Sequence, residues 1–219
     1  MKLMKPFYEM LYRRSSAPWD VGPREPLVRL VESGEIQPGR AIDLGCGSGS
    51  NAIFLAQNGF DVTGVDYARS AIERSRAAAQ AASVDVEFVL DDLTNLSRVE
   101  GPYDLLVDFG TLDDLTPRDR KQYLASILPL TRTDSRFLLY AFEWPFRWWE
   151  RIIFELAFFA EMAMEPGDVG RLFGDDFEIQ KIAGEIDLSR WPPGDASYLM
   201  RRKAAPRYRV DGTNGAREG

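Results

Sequence analysis

The segment AIDLGCGSGSNAIFLA at 41–56 constrains the fold more than any other stretch of this chain. A short apolar run ends at Gly45, Gly47 and Gly49, spaced two apart, and apolar residues then resume at helical intervals. The pattern reads as a buried strand, a turn of bare backbone and a helix. Glycines in such a turn let the chain reverse sharply and let a ligand come closer than a Cβ allows. A strand that feeds straight into a helix returns to its sheet by a crossover, so the pattern predicts βαβ units and a largely parallel sheet.

The rest of the chain keeps that alternation up to residue 142. Strands are predicted at 61–66, 86–90, 103–110 and 136–142, and helices at 51–59, 68–82 and 116–128. Pro117 stands in the first turn of the last helix, and an earlier one at 27–34 is opened by Pro26 and closed by Gly34. Beyond 142 the rhythm changes. A long helix is expected over 145–164 and a short one at 168–173, followed by strands at 177–185 and 197–204 that pair as an antiparallel hairpin at a sheet edge. The expectation is one α/β domain over 1–205, doubly wound around a seven-stranded, mostly parallel sheet with an antiparallel C-terminal edge strand. Residues 1–35 make a helical lid, 145–164 a pocket wall or interface, and the Gly-rich polar stretch 206–219 a disordered tail.

Asp66 lies seventeen residues past Gly49, at the end of the second predicted strand. A carboxylate there can accept both hydroxyls of a ribose, so a nucleoside-bearing ligand is expected. A dinucleotide pyrophosphate calls for G-x-G-x-x-G, whereas this chain reads G-x-G-x-G, and Asp43 adds negative charge just before the turn. Those electrostatics suit a cationic ligand without phosphate. S-adenosylmethionine, which carries an ammonium and a sulfonium, meets that description.

DLGCGSG, VTGVD and FVLDDL together resemble the first three motifs of class I S-adenosylmethionine-dependent methyltransferases, a Rossmann-like family, over roughly residues 17–204. The resemblance implies a donor turn made by Asp43, Gly45, Cys46, Gly47 and Gly49, with Gly45 and Gly47 flanking the methionine end. It implies Asp66 on the ribose and Tyr67 beside the adenine. Asp92 with the Leu93 backbone would read the adenine edge, with Asp91 as the competing residue, and Asp108 and Phe109 complete the set. APWDVG and VDFGTLDDL are similar to the small-molecule branch that includes the thiopurine- and tellurite-resistance-type bacterial enzymes. There a Pro-Trp segment folds over the methyl donor, which implies that role for Trp19 and places Asp20 within reach of the methionine ammonium. The alternative for Trp19 is a plug between helix and sheet.

Composition removes other chemistries. The chain has no histidine and a single cysteine, Cys46. That excludes a Ser-His-Asp or Cys-His nucleophile, a His-ligated metal and an internal disulfide. Cys46 reads as a small apolar filler of the turn. Lys and Arg total 27 against 34 Asp and Glu, a formal net charge of −7 that is a poor match for a nucleic-acid backbone. The opening MKLMKPFYEMLYRR has no apolar core of a signal peptide, and the greasy run at 152–164 is interrupted by Glu155 and Glu161. A cytoplasmic protein without stable membrane insertion is expected.

Many members of the small-molecule branch that this chain resembles carry a histidine where this chain has Asp113. If that histidine takes a proton, Asp113 or Asp114 would have to do so here, which makes the pair the catalytic candidates. An exposed Asp, with a pKa of about 3.9, is a feeble base at neutrality. The other use of the pair is to cap the 116–128 helix or to face solvent. Methyl transfer from a sulfonium needs little beyond alignment of acceptor, methyl and sulfur, so the sequence favours an acceptor that reacts without a protein base. On the 145–164 helix, Phe154, Phe158 and Met162 fall on the charged side, where they would line a pocket, meet a second subunit in a homodimer, or rest on a membrane surface. The function expected is S-adenosylmethionine-dependent methylation of O, N or S on a small apolar or aromatic molecule. Its rivals are a non-catalytic S-adenosylmethionine-binding partner or sensor, and an NAD-dependent oxidoreductase on the same fold class.

Overall fold

Seven strands join in one sheet in the computed structural model, which describes residues 5–14, 20–143, 145, 164–184 and 194–204. They are β1 (Arg40–Leu44), β2 (Asp61–Asp66), β3 (Glu87–Leu90), β4 (Tyr103–Phe109), β5 (Thr131–Phe142), β6 (Phe177–Ala183) and β7 (Asp195–Arg202), in the spatial order β3-β2-β1-β4-β5-β7-β6. The helices are α1 (Lys5–Arg14), α2 (Glu25–Glu32), α3 (Ser50–Gln57), α4 (Arg69–Ala81), α5 (Pro117–Ile127) and α6 (Asp168–Phe173). Strands β1 to β5 run parallel, and β7 is antiparallel to both of its neighbours. The expected hairpin is therefore present, with β6 outermost and the C-terminal strand one position in from the edge. Trp19, the tail 206–219 and the interior of the 145–164 helix, with Phe154, Phe158 and Met162, lie outside the described residues. Among the described residues no helix is long and apolar enough to cross a membrane.

The strands are apolar on both faces because each face is covered. Ile42 and Leu44 of β1, Leu106 of β4 and Phe137 and Leu139 of β5 pack with Tyr123 and Ile127 of α5 and Phe173 of α6. The intervening residues, Ala41, Leu105, Val107 and Leu138, point the other way and meet Leu27 and Leu30 of α2, Leu55 of α3 and Ile72 of α4. At the far edge, β5 hands over to the hairpin through a buried carboxylate. Glu143 accepts hydrogen bonds from the Tyr198 hydroxyl and from Lys181 Nζ at 3.1 Å, which ties the ends of β5, β7 and β6 together.

The first face is anchored by three mutually edge-on rings. Phe173 lies 5.7 Å from Phe137 at 80° and 6.0 Å from Phe177 at 78°, and Phe137 lies 6.1 Å from Phe177. Phe173 is fully buried, so Phe173→Ala leaves a ring-sized void as well as losing these contacts. The expected cost is about 3–5 kcal/mol in urea unfolding, with the cavity residues of the next section undisturbed. A loss below about 1 kcal/mol would show that α6 is not part of this core.

Candidate active site

The strand order reverses between β1 and β4. From β1 the chain moves outward to β2 and β3, then returns to the other side of β1 as β4. Loops that depart in opposite directions leave a crevice above the C-terminal strand ends. A cavity of about 590 Å³ fills it. The β1–α3 turn, the end of β2 and the turn after β4 form its base, Tyr140 and Phe142 of β5 one side, and α1 with the segment 20–24 the rest.

The β1–α3 turn is left-handed at its glycines, with φ of +77° at Gly45 and +53° at Gly47. Space also demands glycine: a Cβ at Gly45 would stand 2.0 Å from Thr111 Oγ1, and one at Gly47 2.6 Å from the Tyr12 hydroxyl. The Gly45 and Cys46 amides donate to the Val65 carbonyl at 2.8 and 2.9 Å. The Gly47 amide donates to Asp66 Oδ2 at 3.0 Å, while the Ala68 amide donates to Oδ1 at 2.8 Å. Asp66 thus fastens the turn to β2. A carboxylate accepts about four hydrogen bonds, so it keeps capacity for a ligand.

Further carboxylates gather around this turn. Asp20 Oδ1 accepts from Ser48 Oγ at 2.5 Å and Ser50 Oγ at 3.1 Å, which places an anion at the N-terminus of α3, where exposed amides favour negative charge. Asp43 is buried beneath the turn and its Oδ2 has no hydrogen-bond partner. Burial, reinforced by the charges of Asp108 and Asp66, pushes Asp43 up to about 7. Burial likewise lifts Asp108 to about 7 and Asp66 to about 6, against the hydrogen bonds each accepts. Cys46 is buried and its thiol is pushed up, first by burial and then by Asp66 and Asp43, so it is no nucleophile.

Of the residues singled out from sequence, Asp20, Gly45, Cys46, Gly47, Asp66, Tyr67, Phe109 and Asp114 line the cavity. Others do not reach it. Gly49 is the N-cap position of α3, and Asp108 is engaged beneath the floor by the Tyr123 hydroxyl at 2.7 Å and the Thr111 amide at 2.9 Å. Asp92 closes its own loop, with Oδ1 accepting from the Thr94 amide at 2.9 Å and hydroxyl at 2.6 Å. Its rival Asp91 accepts from the Ser97 and Arg98 amides, and the Leu93 side chain belongs to the core.

The carboxylate pair needs correction. Neither member caps α5, because Thr116 Oγ1 accepts the Asp119 amide there. Asp113 is buried away from the cavity, with Oδ2 accepting the Phe142 amide at 3.3 Å and Oδ1 unpartnered. Burial, then the charges of Asp114 and Asp108, drives its pKa well up. A group without access to the cavity cannot be the base there. Asp114 alone faces the cavity, and it accepts a hydrogen bond from the Tyr8 hydroxyl.

The sequence reading missed Tyr8, Tyr12, Arg24, Thr111, Tyr140 and Phe142, all on the cavity wall. The spacing of Tyr8 and Tyr12, four apart on one helix, was the available signal, since it puts both rings on one face. The element that docks that face is Glu9, which accepts from the Arg69 amide at 2.8 Å, the Ser70 amide at 3.1 Å and the Ser70 hydroxyl at 2.6 Å. Ala68, at the N-cap position of α4, offers no side-chain bond, so Glu9 satisfies the orphan amides from another helix.

The sheet order, the glycine turn and the crevice above it are those of the class I methyltransferase fold. Residues 41–134 match the family model described as a methyltransferase domain. The 2-heptyl-1-hydroxyquinolin-4(1H)-one methyltransferase of Mycobacteroides abscessus is 27% identical over 128 residues, 58% of this chain and 56% of that protein. Thiocyanate methyltransferase 1 of Brassica oleracea is 29% identical over 135 residues, 60% of this chain and 59% of that protein. These matches therefore span little more than half the length of either relative. Among solved structures, 1,6-didemethyltoxoflavin-N1-methyltransferase of Burkholderia thailandensis, with 1,6-didemethyltoxoflavin and S-adenosylhomocysteine bound, superposes with a TM-score of 0.70. It is 20% identical, with 93% of this chain and 88% of that one covered, which establishes the shared fold.

The buried carboxylates set a pH dependence of stability. With folded values near 7 for Asp43 and Asp108 and near 6 for Asp66, against an ordinary 3.8, the folded state holds protons that the unfolded chain has released. That contribution is complete below the ordinary value and is lost as pH rises through 6 to 7. The melting temperature of the ligand-free protein should therefore fall between about pH 5 and pH 8, by roughly 2–4 °C per kcal/mol lost. Asp43→Asn should flatten the profile. An Asp43→Asn profile parallel to that of the parent would remove Asp43 from this account.

Proposed function

We propose that the chain transfers the methyl group of S-adenosylmethionine to O, N or S of a small apolar or aromatic molecule. The observation that carries this reading is the left-handed glycine turn flanked by Asp20, Asp43 and Asp66. Bare backbone admits a ligand closely, and three carboxylates around it suit a molecule that carries an ammonium and a sulfonium. The same carboxylates disfavour the pyrophosphate of NAD.

When bound, S-adenosylmethionine supplies an electrophilic methyl on a positively charged sulfur. The chain's own residues position and desolvate. Asp66 accepts from the ribose hydroxyls, Tyr67 beside it flanks the nucleoside, and Asp20 meets the ammonium. Phe109 and Tyr140, stacked 5.8 Å apart at 21°, give the acceptor end a flat apolar wall. That wall excludes water from the line of acceptor, methyl and sulfur. The net charge of −7 supports a small-molecule rather than a nucleic-acid acceptor.

Isothermal titration with S-adenosylhomocysteine tests this directly, with NAD as the comparison. S-adenosylhomocysteine should bind and NAD should not. Gly47→Val should abolish binding, because the turn would lose both its conformation and its clearance. Asp66→Ala should weaken binding by about 2–3 kcal/mol through loss of two charge-assisted hydrogen bonds, with melting used to confirm that the variant is folded. A folded Asp66→Ala protein of unchanged affinity would move the ribose elsewhere.

A further inference from the structure

Resting on that methyl-transfer reading, the opposite end of the cavity specifies its acceptor. Tyr8 of α1 donates its hydroxyl hydrogen bond to Asp114 Oδ2, across 106 positions of sequence, and both residues face the cavity. The rings around them wall this end of the cavity. Phe109 stacks on Tyr140, Tyr140 meets Phe142 edge-on at 5.5 Å, and Tyr8 meets Tyr67 edge-on at 5.9 Å. Flat aromatic faces on a cavity wall favour a planar aromatic molecule. Beside these rings stands one carboxylate that an entering group can reach.

Asp114 itself carries the negative charge that an entering group meets, because burial holds its carboxyl neighbours towards the protonated form. Asp113 and Asp108 approach it from the end of β4, and Tyr8 and Tyr67 present neutral phenols. Among the described residues the cation acting on it is Arg120 of α5, whose guanidinium is held by the Leu112 carbonyl at 3.2 Å and the Asp113 carbonyl at 3.1 Å, behind the cavity wall. Arg24 lines the cavity from the segment before α2, where its charge acts on Tyr140. A preformed anion placed beside Asp114 would be repelled, whereas a neutral O–H or N–H would find an acceptor.

We infer that Asp114, with Tyr8 as its hydrogen-bonding partner, takes the acceptor's proton, and that the acceptor is a planar aromatic molecule presenting an un-ionised O–H or N–H. Acceptors that arrive already anionic, such as thiocyanate or iodide, are excluded. In the transfer, the acceptor oxygen or nitrogen forms the bond to the methyl carbon as the carbon–sulfur bond breaks with its electron pair onto sulfur. The acceptor's O–H or N–H bond breaks with its pair onto that atom, and the proton passes to the Asp114 carboxylate. It travels either directly or by way of Tyr8, which gives its own proton to Asp114 and takes the acceptor's. Burial holds Asp114 above its ordinary value, which brings it closer to a working base at neutral pH, and the Tyr8 phenol is pushed up so that it stays protonated between turnovers.

The test uses the full chain with 2-naphthol, 4-hydroxyquinoline, thiocyanate and iodide as acceptors. Binding of S-adenosylhomocysteine is measured separately, since its absence in the parent protein would overturn the donor reading itself. With that binding intact, the aromatic acceptors should be methylated and the two inorganic anions should not. Asp114→Asn should lower kcat on the aromatic acceptors by about 100-fold at unchanged S-adenosylhomocysteine affinity and remove the acid limb of the pH profile. In the complex with S-adenosylhomocysteine, where no transfer occurs, the absorbance of 4-nitrophenol reports its ionisation. Asp114→Asn should bind the phenolate about tenfold more tightly than the parent does, the equivalent of one pKa unit. Tyr8→Phe carries the same test if Asp114→Asn fails to fold, with a smaller fall in kcat expected. The inference is overturned by methylation of thiocyanate or iodide at rates matching the phenols, by an unchanged kcat in either folded variant, or by no turnover of any aromatic acceptor in a protein that binds S-adenosylhomocysteine.

Discussion

One backbone amide organises this molecule. The Gly47 N–H is given to the Asp66 carboxylate, and that bond forms only while the turn after β1 stays left-handed. The turn in turn fixes where α3 starts and leaves a gap over Gly47 that the Tyr12 hydroxyl occupies. Tyr12 and Tyr8 share one face of α1, so seating the first sets the position of the second and brings it to Asp114. The glycine turn, the Tyr12 contact above it and the Tyr8–Asp114 pair are three consequences of one local backbone conformation. Glu9 reinforces the arrangement by capping α4, the helix that follows Asp66.

The electrostatics of the crevice run against ordinary stability. Asp43, Asp66, Asp108 and Asp113 are buried within reach of one another, and Asp43 Oδ2 and Asp113 Oδ1 have no partner. An arrangement of this kind costs folding free energy at neutral pH, where the groups repel one another as they ionise. A cationic ligand bound above these carboxylates would offset that cost. The site trades stability of the empty protein for affinity toward a positively charged one, the compromise expected where a binding site overrides the rules of a good core.

Much of the fold was legible in sequence because its signals are local. Apolar runs bounded by glycine and proline marked the strands, and the alternation of elements through residue 142 fixed a parallel sheet. Gly45, Gly47 and Asp66 were readable for the same reason: a turn conformation and a strand end are written within a few residues. Asp113 and Asp114 were not. Two adjacent aspartates look alike in sequence, and the choice between burial behind the wall and exposure to the cavity is made by the Phe142 amide and by Tyr8, distant along the chain. The same holds for Tyr140 and Phe142, whose alternation says strand but not which face borders a cavity. Asp92 illustrates the reverse case, a residue assigned by motif position whose side chain the structure turns inward on its own loop.

The position of β7 bears on how the chain assembles as it is made. β7 is synthesised after β6 yet lies between β6 and β5, paired along its length with both. Until residues 195–202 emerge from the ribosome, β5 presents an open row of amides and carbonyls beside the apolar side chains of Phe137, Leu138 and Leu139. A nascent chain halted before that point carries a sticky strand edge, the geometry that invites pairing with another chain. Among the described residues the strand made last is thus the one that seals the sheet, and a chain stalled before residue 195 would expose an aggregation-prone edge.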